Sequence, residues 1–151
     1  MSLNATTPLQ LCTFRLGELY LGIDVLDVQE VLQGPNITIV PQADPSANGL
    51  INLRGQIATV VDLRHRLGIE ERSADISPIH VVVRSHGEAF SLLVDRIGDV
   101  ASVDVESYEP PPQTLVGLPR DLILGAYKLE TELLLMLAID KTVDFSTARS
   151  G

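Results

Sequence analysis

The sequence has few of the residues on which cross-linked, metal-binding or membrane-spanning proteins depend. It contains one cysteine, Cys12, which excludes an internal disulfide framework and argues against a thiolate-rich metal site. It has no tryptophan, and aromatic residues make up 4% of the chain, so we expect an aliphatic core. The longest apolar run, 133–139, is far shorter than the roughly 18 residues of a membrane-spanning helix. No secretory signal is visible, and we expect a cytoplasmic protein.

Positive charge and catalytic motifs are also sparse. The formal net charge of −9 disfavours nucleic acid and anionic membranes as partners, because both attract clusters of Lys and Arg. Neither a phosphate-binding glycine loop nor a nucleophile elbow is present. His65, His80 and His86 lie apart in sequence without metal-ligand spacing. We interpret them as an exposed residue, an outward-facing strand residue and a turn residue. The sequence therefore predicts no catalytic residue, cofactor or metal site.

Short apolar runs separated by turn signals predict a series of β-hairpins. Four hairpins are expected, with strands at 11–16 and 19–23, 50–53 and 56–63, 79–84 and 89–94, and 122–129 and 133–139. A further short strand is expected at 36–40. The run 133–137 lacks alternation and should be buried on both faces. Many short strands of this kind are typical of a β-sandwich or barrel.

Three segments depart from the hairpin pattern. A short helix is predicted over 24–32, with Asp24 at its N-cap, because apolar residues recur at helical spacing: Val25, Val28, Val31 and Leu32. A helical turn over 62–67 should end at Gly68. Three consecutive prolines at 110–112 predict a stiff extended connector.

The two halves of the chain resemble each other. Gly17-Glu18 and Gly87-Glu88 occupy equivalent hairpin turns. Five positions recur at a constant offset: Gly49, Leu53, Ile57, Val61 and Leu63 match Gly125, Leu129, Leu133, Leu137 and Ile139. We interpret this as a duplication of one small unit, joined at the polar stretch 70–77, and chance likeness between hairpins is the alternative.

The segment 52–63, NLRGQIATVVDL, resembles the signature hairpin of the CheW family. Three other segments are similar to that family in the same order: the opening hairpin with the predicted helix after it, the hairpin around Leu93-Val94-Asp95, and the closing hairpin from Gly125 to Asp140. Thr59 stands where the family usually has proline, which should slightly extend strand pairing. The departure leaves open whether the chain serves flagellar chemotaxis or a related pathway.

The resemblance implies a mainly β fold of two five-stranded barrels of the Src-homology-3 type, packed together, with one or two short helices. The CheW-like domain is expected over 11–145, with subdomain one at 11–70 and subdomain two at 77–140. The remaining residues, 1–10 and 146–151, should be tails. The implied function is a non-enzymatic adaptor that couples methyl-accepting chemotaxis receptors to a CheA-type histidine kinase.

The resemblance also implies partners and contact residues. The expected partners are the regulatory domain of the kinase, the cytoplasmic tip of the receptor and, in arrays at the inner face of the membrane, other coupling-protein or kinase barrels. Family interface positions fall on Val28, Glu30, Gly49, Arg54, Ile79 and Ser91. A core contact is the alternative for Val28, and a positive-φ turn is the alternative for Gly49. Arg54 lies at a hairpin tip, where Asn or Gly is commoner, so we expect it to bind a partner and to pair with Glu30.

Three other functions stay open at this point. The first is an adaptor in a pilus-based or developmental pathway. The second is a small enzyme or ligand-binding barrel, which would need a polar pocket with convergent titratable groups. The third is nucleic-acid binding by small barrels, which should show basic and aromatic strand faces that this chain lacks.

Overall fold

A computed structural model describes residues 8–41, 43–71, 75, 77–111 and 117–145 of the chain. Within these residues the strands are β1 (Leu9–Leu16), β2 (Leu19–Asp24), β3 (Val28–Gln33), β4 (Thr38–Ile39), β5 (Gly49–Leu53), β6 (Gln56–Asp62), β7 (Ile79–Ser85), β8 (Glu88–Val94), β9 (Arg96–Ile97), β10 (Ala101–Val103), β11 (Tyr108–Glu109), β12 (Ile123–Lys128) and β13 (Leu133–Leu137). The helices are α1 (Leu63–Leu67) and α2 (Ile139–Thr142). The predicted mainly β fold and its four hairpins are confirmed.

Some of the predictions concern residues outside the part of the chain that the structure describes. Residues 1–7 and 146–151, most of the predicted tails, lie outside the described residues, as do Pro112 and part of the 70–77 stretch. Leu9 and Gln10 belong to β1 rather than to a tail. The described part contains no helix that is long and apolar enough to cross a membrane.

The strands form two sheets with equivalent strand orders. The seven-stranded sheet runs β10-β1-β2-β13-β12-β11, with β9 paired to β1, and the six-stranded sheet runs β3-β7-β8-β6-β5-β4. Each sheet has a parallel pair at its centre, β2 with β13 and β8 with β6. In each sheet the two edge strands follow one another in the chain, so a short connector holds the edges near each other.

The sheets divide the chain differently from the predicted subdomains at 11–70 and 77–140. The seven-stranded sheet combines the first hairpin, β1–β2, with β9 to β13. The six-stranded sheet combines β3 to β6 with the first hairpin of the second half, β7–β8. The two halves therefore exchange their first hairpins. The equivalent strand orders support the predicted duplication, but the stretch 70–77 does not separate one sheet from the other.

In the described part of the chain, the buried apolar residues form three clusters. The largest, called here the shared cluster, lies between the sheets and includes Phe14, Leu92 and Leu135. Each sheet covers a smaller cluster with its other face, around Val82 in the six-stranded sheet and Leu134 in the seven-stranded sheet. Central strands are thus buried on both faces, as predicted for the run 133–137.

The predicted helix over 24–32 is wrong. Asp24 does cap a turn, because its Oδ1 accepts a hydrogen bond from the Leu26 amide at 2.9 Å, but only one 3-10 turn, Val25–Asp27, follows. The chain then enters β3 and pairs with β7 through a bulge between Val28 and Glu30. Two of the valines lie in this strand, where β-branched residues pack well, and pairing with β7 overrides the helical spacing.

The predicted helical turn over 62–67 is confirmed as α1. The Asp62 carboxylate accepts hydrogen bonds from the first amides of the helix, and Gly68 ends it with φ 76°. Leu63 and Leu67 are fully buried in the shared cluster.

Candidate functional site

The six predicted interface residues, drawn from both halves of the sequence, all lie in the six-stranded sheet. They sit on β3, β5, the β5–β6 turn, β7 and β8: Val28, Glu30, Gly49, Arg54, Ile79 and Ser91. They share this sheet because β7–β8 joins strands of the first half. The six side chains differ in how far they are exposed, and each is therefore described by its own contacts below.

Arg54 and Glu30 form the predicted ion pair. Nη2 of Arg54 lies 2.5 Å from Oε2 of Glu30, with the arginine side chain 75% exposed and the glutamate 23% exposed. Beside them, Nε2 of Gln29 donates to Oε1 of Gln56 at 2.9 Å. These two contacts tie edge strand β3 to the β5–β6 turn across the sheet. We call Glu30, Arg54 and Gly55 the hairpin tip.

The turn holds Arg54 in an unfavourable backbone conformation. Arg54 has φ 52° and Gly55 has φ 92°, and Oδ1 of Asn52 accepts a hydrogen bond from the Gly55 amide at 2.8 Å. The left-handed region costs a residue with a Cβ roughly 1–2 kcal/mol. An exposed ion pair contributes only about 0.2–1 kcal/mol. Folding alone therefore does not favour arginine here, which is the situation expected of a binding residue.

Val28 and Ile79 contribute mainly to packing. Both are partly buried, and both pack against the shared cluster. The core contact considered for Val28 is therefore present. Part of each side chain stays exposed, so contact with a partner stays a prediction for both residues.

Ser91 offers no surface to a partner. It is 0% exposed, and its Oγ lies 2.7 Å from Nδ1 of His80, which is 2% exposed. The interpretation of His80 as an outward-facing residue is wrong. Strand β7 lies between β3 and β8, and the His80 side chain is buried on the face of the sheet that carries the smaller cluster around Val82. The structure therefore places Ser91, predicted as an interface residue, inside the protein, and its contact with a partner stays a prediction.

Gly49 is also buried, and the positive-φ turn considered above does not explain why glycine is required there. Its φ is not positive. A Cβ at this position would lie 2.7 Å from Cγ2 of Ile37 and 3.3 Å from Cβ of Val60. Close packing between β5 and the chain before β4 therefore requires glycine, and a larger residue would displace the strand that leads to Arg54.

The other two histidines lie where they were predicted. His65 is exposed on α1, with Nδ1 2.7 Å from Oγ of Ser46. His86 lies in the β7–β8 turn and its side chain is 82% exposed. Across the described ranges, no three His, Cys, Asp or Glu side chains gather in a way that could hold a metal ion.

The sequence did not reveal a cleft of about 480 Å³ between the two sheets. One side is formed by the ends of β2 and β13 and by α2, and the other side includes Arg84 of β7. Apolar residues such as Met136 and Leu137 line it together with the carboxylates of Asp24, Asp27 and Asp140. Asp27 is exposed, but partial desolvation and the carboxylates of Asp24 and Asp140 raise its pKa. The lining residues are too far apart in sequence to form a recognisable motif.

Oγ of Ser85 donates a hydrogen bond to Oδ1 of Asp140 at 2.6 Å, which joins the end of β7 to α2 beside the cleft. Gln29 lies between the hairpin tip and the cleft. Its Nε2 donates to Gln56, next to Gly55, and its Oε1 accepts a hydrogen bond at 3.1 Å from Nη1 of Arg84, which lines the cleft.

Comparisons with known proteins find similar sequences and a similar structure over nearly the whole chain. A family model described as CheW-like domain matches residues 10–146. Chemotaxis protein CheW of Treponema pallidum is 29% identical over 136 residues, covering 87% of this chain and 80% of that protein. Chemotaxis protein CheW of Klebsiella aerogenes is 30% identical over 128 residues, covering 85% and 77%. The crystal structure of the scaffolding protein TtCheW from Thermoanaerobacter tengcongensis matches with a TM-score of 0.84 at 30% identity, over 91% of this chain and 93% of that one.

Proposed function

The chain belongs to the CheW-like domain family, and we propose that it joins a CheA-type histidine kinase to the cytoplasmic tip of a chemoreceptor. The family comprises non-enzymatic scaffold or adaptor proteins of chemotaxis. An adaptor transmits a signal through its different affinities for the states of its partners, and no reacting group is needed. What such an adaptor provides is a set of docking surfaces whose positions relative to each other are fixed by the fold.

The hairpin tip supports this proposal most strongly. Arg54 keeps an exposed guanidinium in place by pairing with Glu30, at a backbone position that disfavours arginine. Arginine is enriched among the residues that carry binding energy at protein interfaces. A guanidinium whose position is already set by an ion pair loses less side-chain entropy when a partner binds.

Bridging requires a second surface, and we assign it to the cleft between the sheets. Its apolar lining suits an inserted side chain or helix, and its carboxylates limit which partners are favourable. The partner that does not bind the hairpin tip would occupy this cleft. Recruitment to receptor arrays at the inner face of the membrane would then follow from binding a receptor, with other coupling-protein or kinase barrels as neighbours.

Charge reversal at Arg54 tests the proposal. The Arg54→Glu protein should bind the kinase regulatory domain or the receptor fragment at least about tenfold more weakly, equivalent to roughly 1.4 kcal/mol. Binding is measured by calorimetry with each purified partner, after circular dichroism has confirmed folding. The matched control is Arg96→Glu, an equal charge change at an exposed arginine on β9 of the other sheet, which should leave both affinities within about twofold.

Two results would count against these assignments in different ways. Unaltered binding of both partners by Arg54→Glu would remove Arg54 from the docking surface. Failure of the unmodified protein to bind either partner would overturn the adaptor function itself.

A further inference from the structure

We propose that the buried His80–Ser91 pair positions Glu30 and, through it, Arg54 for binding at the hairpin tip. This inference rests on the proposed function, because it assigns two positioning residues to one of its docking surfaces. It follows from the strand register of the six-stranded sheet and from a comparison with the same positions in the seven-stranded sheet.

The pair is a polar contact inside an apolar cluster. Oγ of Ser91 lies 2.7 Å from Nδ1 of His80, and both residues are buried on the face of the sheet that carries the cluster around Val82. A hydrogen bond restricts the distance and direction between its two groups more narrowly than an apolar contact does, and a buried polar group that loses its partner is costly. The pair therefore holds β7 and β8 in one relative position at this point.

The hairpins β7–β8 and β1–β2 correspond to each other residue by residue. Each has a two-residue turn, and each contributes one strand of the parallel pair at the centre of its sheet. Counted from the turns, His80 corresponds to Leu11 and Ser91 corresponds to Gly22. The parallel pairing agrees with this match, because Ser91 and Gly22 both face the neighbouring parallel strand of their sheet.

The seven-stranded sheet fills these two positions without a polar side chain. Leu11 is fully buried, and a Cβ added to Gly22 would lie 3.5 Å from Cδ1 of Leu11, so the leucine packs over the glycine. A sheet of this strand order therefore does not need a hydrogen bond here in order to fold. The sheet that has one is the sheet that carries Arg54, which points to a role in the hairpin tip.

The strand register connects the pair to Glu30. Ser91 pairs with Val82, and Val82 pairs with Glu30, so these three residues form one row across β8, β7 and β3. Directly paired residues of antiparallel strands have their side chains on the same face, which places Glu30 on the face of the His80–Ser91 pair. Among the described strands, β3 pairs with β7 alone. The position of Glu30 is therefore set by β7, which the buried pair holds against β8.

Glu30 in turn determines the position of Arg54. Oε2 of Glu30 lies 2.5 Å from Nη2 of Arg54, and the glutamate side chain is 23% exposed against 75% for the arginine. The exposed guanidinium is thus located by a carboxylate that the sheet largely encloses. Without a fixed carboxylate, Arg54 would populate more rotamers in the free protein, and ordering them would weaken partner binding.

The test makes the six-stranded sheet apolar at these positions, as the seven-stranded sheet is. The variant His80→Leu/Ser91→Ala removes both polar groups together, and its Tm should stay within about 3 °C of the unmodified protein. Calorimetry on the full chain uses the kinase regulatory domain and the receptor fragment as probes. The partner whose binding Arg54→Ala weakens should bind this variant about fivefold more weakly, and the affinity for the other partner should stay within about twofold.

A double-mutant cycle shows whether the pair acts through Arg54. Once Arg54 is replaced by alanine, His80→Leu/Ser91→Ala should change the affinity by less than about twofold, whereas a pair that only stabilises the fold would weaken binding equally in both backgrounds. The matched control is Thr13→Val in the seven-stranded sheet. It removes the buried hydrogen bond from Oγ1 of Thr13 to the carbonyl of Asp99 at 2.6 Å and should leave both affinities within about twofold.

An independent measurement uses the free protein and the single variant Ser91→Ala, which guards against poor folding of the double variant. In NMR relaxation, the Nε–H group of Arg54 should be more mobile in Ser91→Ala than in the unmodified protein or in Thr13→Val. Equal mobility, unchanged affinity in the double variant, or an equal loss with and without Arg54 would each overturn the inference. Failure of the unmodified protein to bind either partner, or unaltered binding by Arg54→Ala, would instead contradict the proposed function.

Discussion

Replacing Arg54 by asparagine separates what this residue costs the fold from what it contributes to binding. Arg54 has φ 52° at a position followed by a glycine with φ 92°. Asparagine tolerates this conformation, and avoiding the left-handed penalty is worth roughly 1–2 kcal/mol at most. The variant loses an ion pair whose arginine is 75% exposed, which contributes about 0.2–1 kcal/mol. We therefore expect asparagine to stabilise the fold by about 0.5 kcal/mol.

Thermal unfolding followed by circular dichroism measures the first effect. For a chain of this length, 0.5 kcal/mol corresponds to a rise in Tm of about 1–2 °C. Calorimetry with the kinase and receptor fragments measures the second, and at least one affinity should fall by about tenfold. A matched control is Gly55→Ala, which should lower Tm because alanine is strained at that positive φ. A lower Tm for Arg54→Asn together with unchanged affinities would refute the reasoning and make Arg54 a structural residue.

Three further predictions concern stability. Arg64→Met removes the ion pair with the buried carboxylate of Asp95, and urea unfolding should show a loss of about 3–5 kcal/mol, whereas a loss below about 1 kcal/mol would contradict a strong contribution from this pair. Gly49→Ala should cost about 1–3 kcal/mol, and adding Ile37→Ala should recover part of it, because Cγ2 of Ile37 is the closest atom to the new methyl group; no recovery would contradict that clash. The folded-state pKa of Asp27 is raised above its unfolded value, so its contribution to stability is present below the unfolded pKa and is lost as pH rises through the folded one. Asp27 is exposed, so solvent screens its carboxylate and the effect is small. Asp27→Asn should therefore stabilise the protein only slightly at pH 7, with the difference shrinking near pH 4, and a destabilised variant at pH 7 would contradict the assignment.

The local parts of the fold were predictable from the sequence, and the long-range parts were not. Hairpins and α1 depend on neighbouring residues, such as the Arg54-Gly55 turn and the cap at Asp62. Which sheet a hairpin joins depends on strands far away in the chain, so the exchange of β1–β2 and β7–β8 left no local signal. The segment 24–32 was assigned to a helix for the same reason, since β7, its pairing partner, lies about fifty residues later.

The candidate site shows a similar division. Resemblance to a family located Arg54 and Glu30, and their pairing followed from opposite charge. The burial of Ser91 beside His80 could not be predicted from the sequence, because it requires both faces of the six-stranded sheet to be covered. The cleft was missed because its lining comes from 23–27, 84, 124 and 136–141, segments that meet only in the folded chain.

The central claim, that this chain links a receptor to a kinase without any chemistry of its own, is tested most directly by kinase autophosphorylation. Purified CheA-type kinase and receptor fragments are assayed with and without the chain, and the same mixtures are sedimented. We predict that the receptor alters the rate of autophosphorylation only when the chain is present, and that all three proteins sediment together. Equal control of the kinase by the receptor without the chain, or sedimentation that leaves the chain behind, would contradict the account.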